Sequence, residues 1–313
     1  MNFTDQIKQA KPNIAESTVK SYNTTLKSIY KNVFGETEKP DIENFKDVEK
    51  ILNYIKDSLP TTRKTKLSAI VAIAPIEEYK IQIMTLMKEI QSETNKSEMT
   101  QKLEESEITP TEMKEVVKTV KQNADAIQKK SELTMRDLQE IQKYVIVSLY
   151  HGHIAPRRSI DYTEMVLKPT DKKTQNYIDM RKSKFVFNNY KTAGTYGTQE
   201  IDIPPALKNI LKKWIILIPT EVNHLLFNNY SEPLSNVSLG QRFNEIFGGA
   251  KSVNSMRHYF LTQNHSETVR MTDRLSDDMK AMGSNARQVK SYVKVNPAKG
   301  QRPLGTPPPA PDV

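Results

Sequence analysis

Gly152-His153-Ile154-Ala155-Pro156-Arg157-Arg158-Ser159-Ile160-Asp161-Tyr162 is the stretch on which the reading of this chain turns. Just upstream, Thr134-Met135-Arg136-Asp137 has the spacing of a helix capping box, with Asp where Glu is usual. The helix it opens carries Leu138, Ile141, Val145 and Leu149 at the spacing of one buried face. Downstream, Tyr162–Leu167, Phe185–Tyr190 and Gln199–Ile203 are expected as strands, and Gly194 and Gly197 fall where a hairpin loop between the last two needs them. Helices return after Pro205. The stretch is therefore a turn from helix into strand, and it concentrates two guanidiniums and a carboxylate.

Before this region the chain reads as all-helical. Val19, Tyr22, Leu26, Ile29, Tyr30 and Val33 follow the start signal Ser17-Thr18 at helical spacing, and Gly35 and Pro40 end that unit. A second helix is expected over Val48–Leu59, with Val48, Ile51, Leu52 and Ile55 inward and Pro60 closing it. Thr61-Thr62-Arg63-Lys64-Thr65-Lys66 then precedes the apolar run Leu67–Ile73. A basic, hydroxyl-rich helix start can bond phosphates through side chains, backbone N–H groups and the helix dipole, which makes Thr62, Arg63, Lys64 and Lys66 candidate DNA contacts; a solvated turn is the equal alternative. The domains expected are a helical one over 1–91, a charged, partly helical connector over 92–131, a mixed one over 132–296 and a proline-rich tail over 297–313. The fold class expected is mainly α with a small antiparallel sheet, an α+β chain.

The formal charge of +9 and pI near 9.3 favour a polyanionic partner, because each neutralised phosphate releases counterions. The absence of cysteine among the 313 residues excludes disulfides, thiol nucleophiles and thiolate metal sites. His151 and His153, two apart, would point to different sides of a helix, so no metal site is expected from them. The apolar runs Ile70–Pro75 and Trp214–Pro219 are too short to span a bilayer, and the N-terminus shows no secretory h-region.

Four segments bear chemistry, and their order matters more than any one of them. The Arg157-Arg158 stretch comes first. Tyr190-Lys191-Thr192-Ala193-Gly194 follows in the expected hairpin, then Val253-Asn254-Ser255-Met256-Arg257-His258-Tyr259 opening a helix, then Met282-Gly283-Ser284-Asn285 with Tyr292 eight residues after Ser284. This order resembles the catalytic domain of the tyrosine recombinase and integrase family, over roughly residues 132–295, and the first ~90 residues resemble that family's helical core-binding domain more weakly. The Pro-Arg-Arg motif and the Met-Gly box look similar to recombinases of large DNA viruses and virophages.

The resemblance implies an enzyme that cuts and rejoins DNA through a 3′-phosphotyrosyl bond. It implies Arg158 as the first catalytic arginine, since an acidic residue, Asp161, follows three positions on to buttress the site; Arg157 is then left to DNA binding. It implies Lys191 as the hairpin lysine, Arg257 as the second arginine with His258 beside it, and Tyr292 as the nucleophile. Asn254 and Ser284 stand where the family has histidines; both can hydrogen-bond a phosphate oxygen, and neither can hold a proton as imidazole does. The chemistry suits these residue types. Guanidiniums stabilise charge building on the non-bridging oxygens, a lysine can protonate the leaving 5′-oxygen, and covalent capture removes the need for ATP or metal, so no cofactor is expected. The implied assembly is a homo-tetramer on two duplexes, each gripped in a clamp of the helical and mixed domains, with no membrane involved. The implied setting is intracellular, a host nucleus or viral factory for a viral member. Alternatives are a type IB topoisomerase-like enzyme and a degenerate, DNA-binding homologue without catalysis.

Overall fold

Apolar residues at helical spacing build the N-terminal part of the chain. The helices are α1 (Thr4–Ala10), α2 (Glu16–Phe34), α3 (Val48–Ile55), α4 (Pro60–Val71) and α5 (Glu77–Asn95), with a 3-10 turn at Ile42–Lys46. The structure, a computed structural model, describes residues 2–95 and 101–285; Tyr292 and the tail from Pro297 lie outside them. Val19, Leu26, Ile29 and Tyr30 of α2 pack with Ile51, Ile55, Leu67, Ile70, Tyr79 and Leu86 around Phe3 and Phe45 in a separate core. Gly35 ends α2 at a φ of 94°, where a side chain would be strained. Pro60 does more than close α3, which already stops at Ile55. It sits at the first position of α4, where its missing N–H has no helical acceptor to lose.

The chain divides into two units between residues 100 and 101, and α5 runs through residue 91, where the helical domain was expected to end. The second unit contains α6 (Gln101–Ser106), α7 (Pro110–Ile127) and α8 (Met135–Tyr150). The expected connector over 92–131 is thus not a free link. Thr109 and Glu112 form a capping box that starts α7, and Met113, Val120 and Ala124 bury the helix against α8. Its apolar stripe is diluted by the Lys and Glu residues of the outer face, so composition alone hides a core helix.

The Thr134–Asp137 capping box opens α8 as the sequence indicates. This helix is covered on nearly every side, burying Gln139, Gln142, Ile146, Val147 and Tyr150 besides the expected Leu138, Ile141, Val145 and Leu149. After it, Tyr162 does not begin a strand. Residues Ser159–Thr163 form the short helix α9, and Val166 makes only isolated bridges, to Tyr177 and His224. The turn is local: Arg158 is the extended N-cap residue, and Asp161 N–H donates to its carbonyl at 3.1 Å. The sheet is instead β1 (Tyr177–Asp179), β2 (Lys184–Phe187) and β3 (Gln199–Asp202), antiparallel in that order, with Phe185 opposite Ile178 and Ile201. The loop between β2 and β3 holds the one-turn helix α10 (Ala193–Tyr196), closed by Gly197 at a φ of 64°. Then come α11 (Pro205–Leu217), α12 (Asn236–Phe247) and α13 (Val253–Ala281). The core of this unit joins Tyr150, Tyr162, Phe185, Phe187, Trp214, Phe227 and Phe243, so the observed fold is mainly α with one small antiparallel sheet. Among the described residues no helix is long and apolar enough to cross a membrane.

Candidate active site

The N-terminal ends of α9, α12 and α13 meet at one open cavity of about 290 Å³. Arg158 and Ser159 line it from α9, Asn236 and Gly240 from α12, and Ser252, Val253, Asn254 and Arg257 from α13. Ser252 caps α13 through a reciprocal bond with Ser255, which fixes where the helix starts. Asn254 and Arg257, three apart, then share one helix face. Thr163 of α9 and Asn236 of α12 are linked at 3.2 Å through Oγ1 and Oδ1. Two guanidinium-bearing residues and the positive ends of α12 and α13 thus border a space that suits an anion. Among the described residues, Arg158 and Arg257 form no side-chain ion pair, so neither charge is neutralised by a carboxylate.

The two adjacent arginines diverge. Arg157 turns inward, its side chain 14% exposed, with Nε donating to Asp161 Oδ2 at 2.7 Å and Nη1 to Gln199 Oε1. Its guanidinium also lies over the rings of Phe187 (4.1 Å) and Tyr190 (4.8 Å). That leaves little of Arg157 to offer a DNA phosphate, the role expected for it. Asp161 is 1% exposed, and its Oδ2 holds the guanidinium of Arg157, the residue before Arg158. Burial raises the Asp161 carboxyl pKa, against the opposing pull of the Arg157 charge. Tyr150 and Tyr162 lie beneath, ring centroids 5.4 Å apart, with burial raising the pKa of both phenols. Neither phenol is placed to ionise readily.

The remaining residues are spread out. Lys191 is exposed in the β2–β3 loop beside Tyr190 and does not line the cavity. His258 is exposed on α13. Ser284 follows the far end of α13, where Gly283 at a φ of 70° and the Ser284 N–H to Met279 carbonyl bond close the helix in a Schellman turn. Across the 29-residue α13, Arg257 and Ala281 are about 36 Å apart along the axis. The structure therefore does not bring Ser284 to the Arg158–Arg257 cavity. His151 and His153 come within 5.3 Å, centroid to centroid, because α8 ends at Tyr150 and helical spacing no longer separates them; burial lowers both pKa values. Among the described residues no group of three or more His, Asp or Glu could hold a metal ion.

In the first unit, Thr62 and Lys66 line a groove with Thr61, Thr65 and, from α2, Thr24, Thr25 and Ser28. Lys66 Nζ donates to Ser58 Oγ at 3.0 Å and lies 5.0 Å from the Tyr54 ring centroid. Arg63 reaches toward Glu89 at 3.9 Å, and Lys64 is half-buried. The α2 hydroxyls were missed by sequence reasoning, since Thr and Ser on an amphipathic helix carry no pattern of their own.

Three solved recombinase structures are similar to this chain. XerA recombinase matches at 10% identity, TM-score 0.35, covering 83% of this chain and 82% of its own. XerH site-specific recombinase bound to palindromic difH substrate, a post-cleavage complex, matches at 14% and 0.41, covering 84% and 74%. XerH bound to difH substrate in a pre-cleavage complex matches at 11% and 0.37, covering 85% and 83%. The overlap is too loose and the identity too low to transfer any residue's role. No family model matches the sequence, and no curated protein does.

Proposed function

We propose that this chain is a site-specific DNA recombinase that cuts and rejoins duplex DNA through a 3′-phosphotyrosyl bond at Tyr292, without metal or ATP. The observation that supports it is the shared cavity of Arg158, Asn254 and Arg257, open to solvent and bordered by two helix N-termini. Two unpaired guanidiniums there are placed to stabilise a phosphorane-like transition state, and Asn254 supplies a neutral hydrogen bond in place of an imidazole. Lys191, on the loop between β2 and β3, is assigned the proton for the leaving 5′-oxygen. The basic charge of +9 and the hydroxyl-lined groove of α2 and α4 suit a duplex held largely by its backbone.

Chain length bears on the nucleophile. From Ser284 to Tyr292 the backbone spans at most about 28 Å, against the ~36 Å that α13 rises past Arg257. That difference, before the side chains of Tyr292 and Arg257 are counted, favours a neighbour's cavity as the partner of Tyr292. The reading is therefore of a multimer, in line with a tetramer on two duplexes, in which Tyr292 serves the cavity of a neighbour. The test is incubation with a pool of nicked suicide duplexes of randomised sequence, followed by denaturing gel analysis. A protein–DNA adduct that Tyr292→Phe abolishes is the expected result. No adduct, with duplex binding intact, favours a non-catalytic DNA-binding protein, the reading to which Asn254 and Ser284 lend themselves.

A further inference from the structure

The Arg157 side chain joins two segments that sequence leaves far apart. One is the α9 turn, which holds Arg158. The other is the β2–β3 hairpin, which holds Lys191. Nε binds Asp161 of α9, Nη1 binds Gln199 at the start of β3, and the guanidinium lies over Phe187 and Tyr190 on the β2 side of the hairpin bend. The bend itself is tied, since Tyr190 Oη donates to the Gly197 carbonyl at 2.8 Å and Ala193 N–H to the Tyr190 carbonyl at 2.9 Å. Lys191 thus lies between two anchored residues, Tyr190 and Ala193.

A second tie runs between the same two segments. Asn176, 1% exposed, uses its whole amide. Its Nδ2 donates to the carbonyls of Asp161 (3.3 Å) and Asn189 (2.7 Å), and its Oδ1 accepts from the N–H groups of Asn188 and Asn189, both at 2.8 Å. With Arg157, it crosses from α9 to the hairpin at two points.

We infer that Arg157 is a positioning residue that, with Asn176, braces the Lys191 hairpin against the Arg158 turn; this rests on the recombinase reading for what the brace is for. An arginine is required and a lysine is not equivalent. Only a planar fork can direct Nε and Nη1 to two different acceptors while stacking its face on two rings. The charge of Arg157 is spent on Asp161 and leaves the cavity to Arg158. A small displacement of a catalytic group can lower a rate by on the order of 100-fold, so the brace acts on rate and not on affinity for DNA.

The test uses full-length Arg157→Gln, Arg157→Lys and the milder Gln199→Ala, in case the first folds poorly. Hydrogen exchange needs no catalysis. Amides of residues 188–199 should exchange at least about tenfold faster in Arg157→Gln and Arg157→Lys, and less so in Gln199→Ala, with the first half of α8 unchanged. Binding of a duplex of arbitrary sequence should keep its affinity and salt dependence. On nicked duplexes at saturation, cleavage should fall on the order of 100-fold, unrescued by lysine. Unchanged exchange at 188–199, or wild-type behaviour of Arg157→Lys, overturns the brace. So does a drop of about 0.9 in the salt slope, which would make Arg157 a phosphate contact. A wild-type protein that forms no adduct defeats the recombinase reading, and the exchange result still decides the brace.

Discussion

Arg158, the N-cap residue of α9, and Arg257, in the second turn of α13, line one cavity although nearly a hundred residues separate them in the chain. Each is expected to stabilise the same developing charge. Arg158→Ala and Arg257→Ala should each lower adduct formation by roughly 100- to 1000-fold, the usual loss for one electrostatic donor at a transition state. The double variant should lose little more than the worse single one, because residues acting as a unit are not additive. Rates on nicked suicide duplexes measure this. Fully multiplicative losses would place the two arginines on different phosphates.

The length of α13 leads to a mixing experiment. On the proposed assignment Tyr292→Phe lacks the nucleophile and should form no adduct, and Arg257→Ala lacks a cavity charge and should form roughly 100- to 1000-fold less. If Tyr292 serves a neighbour, their mixture regains adduct, carried only on the Arg257→Ala chains. A mixture as inactive as its parts would assign Tyr292 to the cavity of its own chain.

Much of this was legible in the sequence, and the physical reason differs by element. Helix α8 was readable because its apolar spacing and its cap at Thr134 and Asp137 agree, whereas α2 was readable by spacing alone, since it starts at Glu16 with no side-chain cap. The sheet was readable in part: β2 is a short run of β-formers buried from Phe185 to Phe187 and β3 alternates, whereas β1 has three residues, too few for any period. Residues Tyr162–Leu167 look strand-like by composition, yet Asp161 and Tyr162 are held in a turn by Arg158, Arg157 and Asn176, contacts that only the fold supplies. Spacing singled out Arg158 and Arg257. It could not show that Arg157 faces inward, nor that Ser284 stands at the distant end of an unbroken helix, because both depend on three-dimensional direction.

The core of the second unit rests on one side chain that imitates a strand. Gln142, fully buried on α8, donates from Nε2 to the Phe227 carbonyl at 3.0 Å and accepts from the Phe227 N–H at 2.9 Å. Gln139 also donates to that carbonyl, so the N–H is the group left alone when Gln142 is removed. Gln142→Ala should destabilise by about 1–3 kcal/mol from the orphaned N–H, with more from the void. Urea unfolding of the second unit measures it. A loss under half a kcal/mol, by the ordinary spread of surface changes, would mean that water replaces the amide.

The start of α8 gives a pH signature. Asp137 Oδ1 accepts from Lys130 Nζ at 2.6 Å, and Oδ2 accepts from Thr134 N–H (3.0 Å) and Oγ1 (2.8 Å). These bonds, the Lys130 one foremost, lower the carboxyl from an ordinary 3.8 to about 2. A pKa depressed by folding means that the folded chain favours the ionised form. The stability this adds is full above the unfolded value, and it is lost as pH falls through the folded one. Asp137→Asn keeps the shape and removes the charge. Its urea midpoint should lie below wild type at neutral pH by a constant amount, and the gap should narrow from about pH 4 and close near pH 2. A gap that persists unchanged below pH 2 would assign the effect to the shape of the cap and not to the charge of Asp137.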